Sequence, residues 1–217
     1  MSRSFVSLAL FLAAKNASAE SLPDGWLLTG GNPQSYVVTP DRMEYIEGRA
    51  SAHLSSRGEN QTGFGTLAQA ARAEAFRGER VRFSAYIKAK DVTDWAGLWF
   101  RADRGDGALV AFDNMANRPI KASSEWQPYE IVLELPAQTD TIAYGVLING
   151  SGSVWFDDAR LEIVDRSVHV TQATEGIRSK KPMSASVIQP SPINLNVESW
   201  AMVQQGAPDD GSAAPGL

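Results

Sequence analysis

The stretch RVRFSAYIKAKDVTDWAGLWFR, Arg80 to Arg101, decides the fold. Val81, Phe83, Ala85 and Ile87 alternate with Arg82, Ser84, Tyr86 and Lys88. Strict alternation over eight residues specifies a strand with one dry face and one wet face. Lys90-Asp91 then reads as a short polar turn. Beyond it, Leu98, Phe100 and Ala102 fall on one face and Trp99, Arg101 and Asp103 on the other. The stretch is therefore expected to form a hairpin. Its wet faces carry large aromatics beside cations, which is unusual for a plain solvated surface. If the two arms pair, parity gathers Tyr86, Lys88, Trp99 and Arg101 on one sheet face.

The same pattern continues on both sides. Tyr36 to Thr39 and Ser51 to Ser55 read as short strands. Thr66 to Phe76 is rich in alanine, which suits a helix, yet Leu67, Gln69, Ala71 and Ala73 also alternate. A strand is preferred because every neighbour is one. Downstream, Ala108 to Asp113 is a strand, DNMANRPIKASSEWQ a loop, and Tyr129 to Leu135 a strand ended by Pro136. Ile142 to Asn149 and Ser153 to Val164 follow, separated by the tight turn Asn149-Gly150-Ser151-Gly152. Short strands with turn signals at this spacing specify an all-β sandwich or barrel.

The ends differ from this body. Arg3, the apolar run FVSLALFLAA (Phe5 to Ala14) and Ala17-Ser18-Ala19 have the order of a secretory signal peptide, residues 1–19, cleaved after Ala19. That run is too short for a stable membrane span, so a periplasmic or secreted protein is expected. From Asp165 onward Ser, Pro, Gln, Asn and Gly dominate and periodicity is lost. Residues 165–217 therefore read as linker and disordered tail.

Composition narrows the function classes. Net charge is −5 with no basic run, so nucleic-acid binding has no electrostatic support. There is no cysteine, and the histidines are His53 and His169 only, which removes disulfides, thiol nucleophiles and histidine-rich metal clusters. No nucleophile elbow, HExxH, P-loop or GxGxxG is present. Asp157 and Asp158 are adjacent, so on a strand they face opposite ways. Glu130 and Glu134 share a face but stand roughly 13 Å apart, beyond the spacing glycosidases use. A non-catalytic protein is expected.

The segments RVRFSAYIKAKDV, WAGLWFR and above all VWFDDARLEIV resemble jelly-roll carbohydrate-binding-module domains of the galactose-binding-like type. The resemblance covers Gly25 to Val164. It implies an all-β fold, a single jelly-roll β-sandwich over residues 23–164, to which the composition adds the disordered C-terminal tail. It also implies that a sugar can bind on the concave sheet face. In such domains a carboxylate at the position of Asp157 or Asp158 often helps to bind a structural calcium ion; otherwise these carboxylates face water or a loop backbone. The opening strand motif of the family is missing before Leu22. Asn194-Leu195-Asn196-Val197-Glu198 looks like it instead, as the start of a second copy or as a missing edge strand.

On the wet face, Tyr86, Lys88, Trp99 and Arg101 form a candidate ligand site. Rings stack on the C–H faces of sugars, and charged side chains bond the hydroxyls. The competing readings are a self-satisfied Arg–Trp pair, or a face covered by the loop Asp113 to Trp126. Two function classes follow: an exported carbohydrate-binding module, or a sensor or protein-interaction domain of the same fold that binds a non-sugar ligand or partner.

Overall fold

The structure, a computed structural model, describes residues 22–171 and 187–200. The expected signal peptide, residues 1–19, lies outside the described residues. Among the described residues ten strands carry the fold: β1 (Leu27–Gly30), β2 (Tyr36–Asp41), β3 (Ser51–Ser56), β4 (Phe64–Arg72), β5 (Arg80–Arg104), β6 (Leu109–Asp113), β7 (Ile120–Glu134), β8 (Thr139–Asn149), β9 (Ser153–Ile163) and β10 (Ile188–Gln189). The alanine-rich segment is a strand as far as Arg72, but its end, Glu74–Phe76, is a short 3-10 helix. Its alanines serve close packing, since Ala68 and Ala71 are fully buried.

The expected hairpin over Arg80–Arg101 does not form. The stretch lies within one continuous strand of 25 residues. From Val81 to Lys90 it pairs with β9, and from Trp95 to Arg104 with β8. Its other side is lined by β7 and then by β6. The two halves therefore belong to two layers: β2, β3, β9, β5 and β7 in one, and β1, β4, β8, β5 and β6 in the other. Lys90-Asp91 marks a bend rather than a reversal. Asp91 has φ 54°, and the register against β7 shifts on either side of Val92. The inward positions change there from odd (Val81 to Ala89) to even (Val92 to Ala102). An irregularity of this kind re-aims a strand, as β-bulges do. The β8–β9 turn holds the bend: Thr93 N–H donates to the Ser151 carbonyl at 3.0 Å, and Ser151 N–H donates to Thr93 Oγ1 at 2.8 Å. Gly152 lies so close that a Cβ would sit 2.5 Å from the Asp91 carbonyl oxygen.

The inward side chains of both layers form one core. Phe83 from the first half of β5 packs on Phe100 from the second, with ring centroids 6.1 Å apart, and on Tyr144 of β8 at 5.2 Å. Trp26 meets Tyr144 and Phe156 edge-on. Each fully buried apolar side chain of this size contributes about 1.5–3 kcal/mol. This single dry layer dictates the sandwich.

Two further expectations are corrected. The presumed loop from Asp113 to Gln127 is strand from Ile120 onward, because Ile120 and Ala122 pair with Ala96 and Val92 along the bend. Residues 187–200 are not tail. β10 runs parallel to β4 at Ala70 and Ala71, beside the stretch of β4 that pairs with β1. Val197 is fully buried in the core, and Leu195 and Trp200 pack against it. Gln69 grips Ile193 by both backbone groups, and Trp26 Nε1–H donates to the Asn194 carbonyl, each bond at 2.9 Å. The Pro, Ser and Asn residues interspersed among Ile188, Ile193, Leu195, Val197 and Trp200 concealed this anchor. The neighbouring residues 172–186 and 201–217 lie outside the described residues.

Candidate binding cleft

The outer face of the β1, β4, β8, β5 and β6 layer holds a cleft of ≈ 380 Å³. Pockets of this size suit small-molecule ligands. Its floor follows from strand parity. On β5, Ala96, Leu98 and Phe100 turn inward, so Trp95, Trp99 and Arg101 turn outward. On β4 and β8, Phe64, Thr66, Leu147 and Asn149 are the outward positions, and Phe112 of β6 and Asn114 just after it close the rim.

Trp99 is the centre of this arrangement. Its register partner on β8 is Gly145, and Thr66 lies one strand further, opposite Leu147. The indole N–H donates to Thr66 Oγ1 at 2.7 Å, so the ring reaches across β8 to β4. The Thr66 hydroxyl in turn donates to the Val146 carbonyl at 2.8 Å. At the crossing the two strands approach so closely that a Cβ on Gly145 would sit 2.0 Å from the Leu67 carbonyl oxygen. The N–H is thus satisfied by the protein, and the half-exposed ring is left as a stacking surface.

Arg101 is buried in the cleft wall and bound by Asp103, itself 3% exposed. Nε donates to both carboxylate oxygens, at 2.9 and 2.7 Å, and Nη2 to Oδ1 at 2.6 Å. Such forked pairs are strong and fix the guanidinium plane. At the rim, Asn149 Nδ2 donates to Asp94. Asn114 is set by the turn that follows β6, where buried Asp113 accepts from Met115 N–H at 2.9 Å and pairs with Arg118 at 2.7 Å.

The four expected ligand residues are divided between the two outer faces. Trp99 and Arg101 share the cleft. Tyr86 and Lys88 belong to the first half of β5 and project from the other layer. The hairpin that would have joined them is a single bent strand, and this is the physical reason they separate. Tyr86 borders a second, charged depression with Arg82, Asp158 and Arg160. Lys88 pairs with Glu44 and Glu125, each at 3.1 Å, and lies 6.0 Å from the Trp155 ring centroid. Hydrogen bonds to Glu44 and Glu125 raise its pKa. Next to it, Trp155 stacks on His53 at 4.4 Å and donates to Asp41 at 2.8 Å. Sequence reasoning missed Trp95, Phe64, Phe112, Asn114 and Asn149. Trp95 was accessible from parity with Trp99; the others come from strands whose order no local pattern encodes.

Asp157 and Asp158 sit at an irregularity of β9, where Asp158 has φ 47° and the register against β5 shifts between Ser84 and Tyr86, so simple alternation does not separate them; their partners do. Fully buried Asp157 accepts from Ile46 N–H at 2.7 Å, Glu47 N–H at 3.1 Å and Asp158 N–H at 2.8 Å, and so anchors the loop between β2 and β3. Burial pushes its carboxyl pKa up, against the pull of these donors. Asp158 pairs with Arg160 at 2.9 Å. This donor set does not fit a calcium ion, which needs six to eight oxygens turned to one point. Among the described residues no cluster of three or more carboxylate or imidazole groups exists that could hold a metal.

No family model matches the chain. In sequence it is 39% identical over 148 residues to an uncharacterised HTH-type transcriptional regulator, YbfP, of Bacillus subtilis (strain 168). The match covers 68% of this chain and 50% of the regulator, so the chain spans about half the length of the curated relative it matches. In structure it is similar to the enzymatically active domain of tailspike protein 4 of bacteriophage CBA120, with a TM-score of 0.51 and 14% identity, over 65% of this chain and 20% of that one. It is also similar to the CBM22-1 xylan-binding domain of Xyn10C from Paenibacillus barcinonensis, with a TM-score of 0.48 and 19% identity, over 67% and 89% of the two chains. At these identities the likeness is one of fold. The fold is an all-β jelly-roll sandwich. Among the described residues no helix is long and apolar enough to cross a membrane.

Proposed function

We propose that this domain is a non-catalytic carbohydrate-binding module whose ligand lies in the cleft over Trp99. One observation carries the reading. An indole whose only polar atom is already bonded lies across the floor of an open cleft walled by amide and hydroxyl groups. Sugars offer C–H faces to such a ring and hydroxyls to Asn114, Asn149 and Thr29, with the ring supplying apolar area at little entropic cost. The non-catalytic part is supported by the lining, which among the described residues includes no carboxylate, histidine, serine or lysine to serve as acid, base or nucleophile.

The likeness to a transcriptional regulator favours a second reading, in which the same cleft belongs to a sensor domain. The two readings share the ligand site and differ in what binding does, and where. Under the first, residues 1–19 direct export. Mass spectrometry of the natural protein separates them: a terminus at Glu20 supports the exported module, and an intact amino terminus the intracellular sensor. Glycan-array binding of the full chain tests the site itself. Retention of at least one class of oligosaccharide is expected, and folded protein that retains none refutes the carbohydrate reading.

A further inference from the structure

Building on the carbohydrate reading, we infer that the cleft selects uncharged sugars and rejects glycans carrying carboxylate or sulfate groups, and that Asp103 is the residue that sets this selectivity. Arg101 is the one charged residue in the cleft lining among the described residues. A guanidinium beside a stacking ring would ordinarily suit an anionic sugar, because its planar fork matches a carboxylate. Here the fork is already filled. Nε and Nη2 of Arg101 point to Asp103, both side chains are buried, and the pair stays together inside the wall of the cleft. A ligand carboxylate at this wall meets a neutral ion pair rather than a cation. It also approaches the buried charge of Asp103, which little water screens.

The rim adds to the effect. Asp94 lies at the mouth, bonded by Asn149, and contributes negative charge where a ligand would enter. Asp113, behind Asn114, is neutralised by Arg118 and leaves no excess positive charge on that side. The other polar groups of the lining, Thr29, Thr66, Asn114 and Asn149, are neutral and match hydroxyls. Like-charge placement of this kind discriminates between partners more than it strengthens the preferred one.

The test is an array of neutral cello-, xylo- and galacto-oligosaccharides beside oligogalacturonates and sulfated oligosaccharides, probed with the full chain at low and high salt. Expected is binding to neutral members alone, with affinity insensitive to salt. Anionic glycans should bind at least about tenfold more weakly. Binding of anionic glycans as well as neutral ones overturns the inference while leaving the carbohydrate reading standing. Binding of none overturns both. Asp103→Asn keeps the shape of the side chain and removes the carboxylate charge that faces Arg101. The folded variant should gain salt-sensitive binding to oligogalacturonate, and a folded variant that still rejects it shows that Asp103 is not the cause. Should the variant not fold, the salt dependence and anion response of the unaltered chain decide.

Discussion

Removing residues 187–217 should destabilise the sandwich severely, although their composition marks them as expendable. The anchor removes a fully buried Val197 from water, for about 1.5–3 kcal/mol. It also satisfies the indole N–H of Trp26 and both ends of the Gln69 amide. Three such hydrogen bonds contribute about 1 kcal/mol each net, and more where the abandoned group stays buried. Gln69 would keep only the Tyr144 hydroxyl, which donates to it at 2.7 Å. The sum is about 4–6 kcal/mol, a large part of the roughly 5–15 kcal/mol that holds a domain together. For a chain of this size that lowers Tm by about 10–20 °C. Melting the full chain beside one ending at Ser186, followed by circular dichroism, measures it. A synthetic peptide of residues 187–200 added in trans should recover part of the loss by mass action. Truncated protein that melts within about 3 °C of the full chain would refute the reasoning and return the segment to the status of a tail.

Trp99→Ala should abolish glycan binding while costing only about 1–2 kcal/mol, because the ring is half-exposed and gives up one hydrogen bond; a loss of about 3–5 kcal/mol with binding intact would make the ring packing rather than platform. Asp157→Ala strips the acceptor from Ile46 and Glu47 N–H and should cost about 2–4 kcal/mol, equally with and without chelator; a chelator-dependent difference in metal-analysed protein would restore calcium to the site. His53 is held below its ordinary pKa of 6.5 by burial, with Asp41 pulling the other way. The unfolded chain then binds the proton first, so stability should be full above pH 6.5 and fall as pH drops toward the lowered folded value, and His53→Gln should flatten that slope in pH-dependent melts.

The sequence alone determined the fold class, because alternation is a local property: each strand must send every second side chain into a dry layer, whichever strands lie beside it. Parity likewise put Trp99 and Arg101 on one outward face, and would have added Trp95. What local pattern could not decide was whether Lys90-Asp91 reverses the chain or bends it. The left-handed conformation of Asp91 serves either outcome, and the choice was made by the β8–β9 turn docking against Thr93 from about sixty residues away. That one choice divided Tyr86 and Lys88 from Trp99 and Arg101. Asp103 is a similar case: in sequence it is a polar residue on a wet face, and only the packed structure buries it against Arg101. The strand-like pattern of Asn194 to Glu198 pointed to a role for that segment, but the anchor at 187–200 depends on Gln69, Trp26 and the core around Val197, which come together only once the sheets have met.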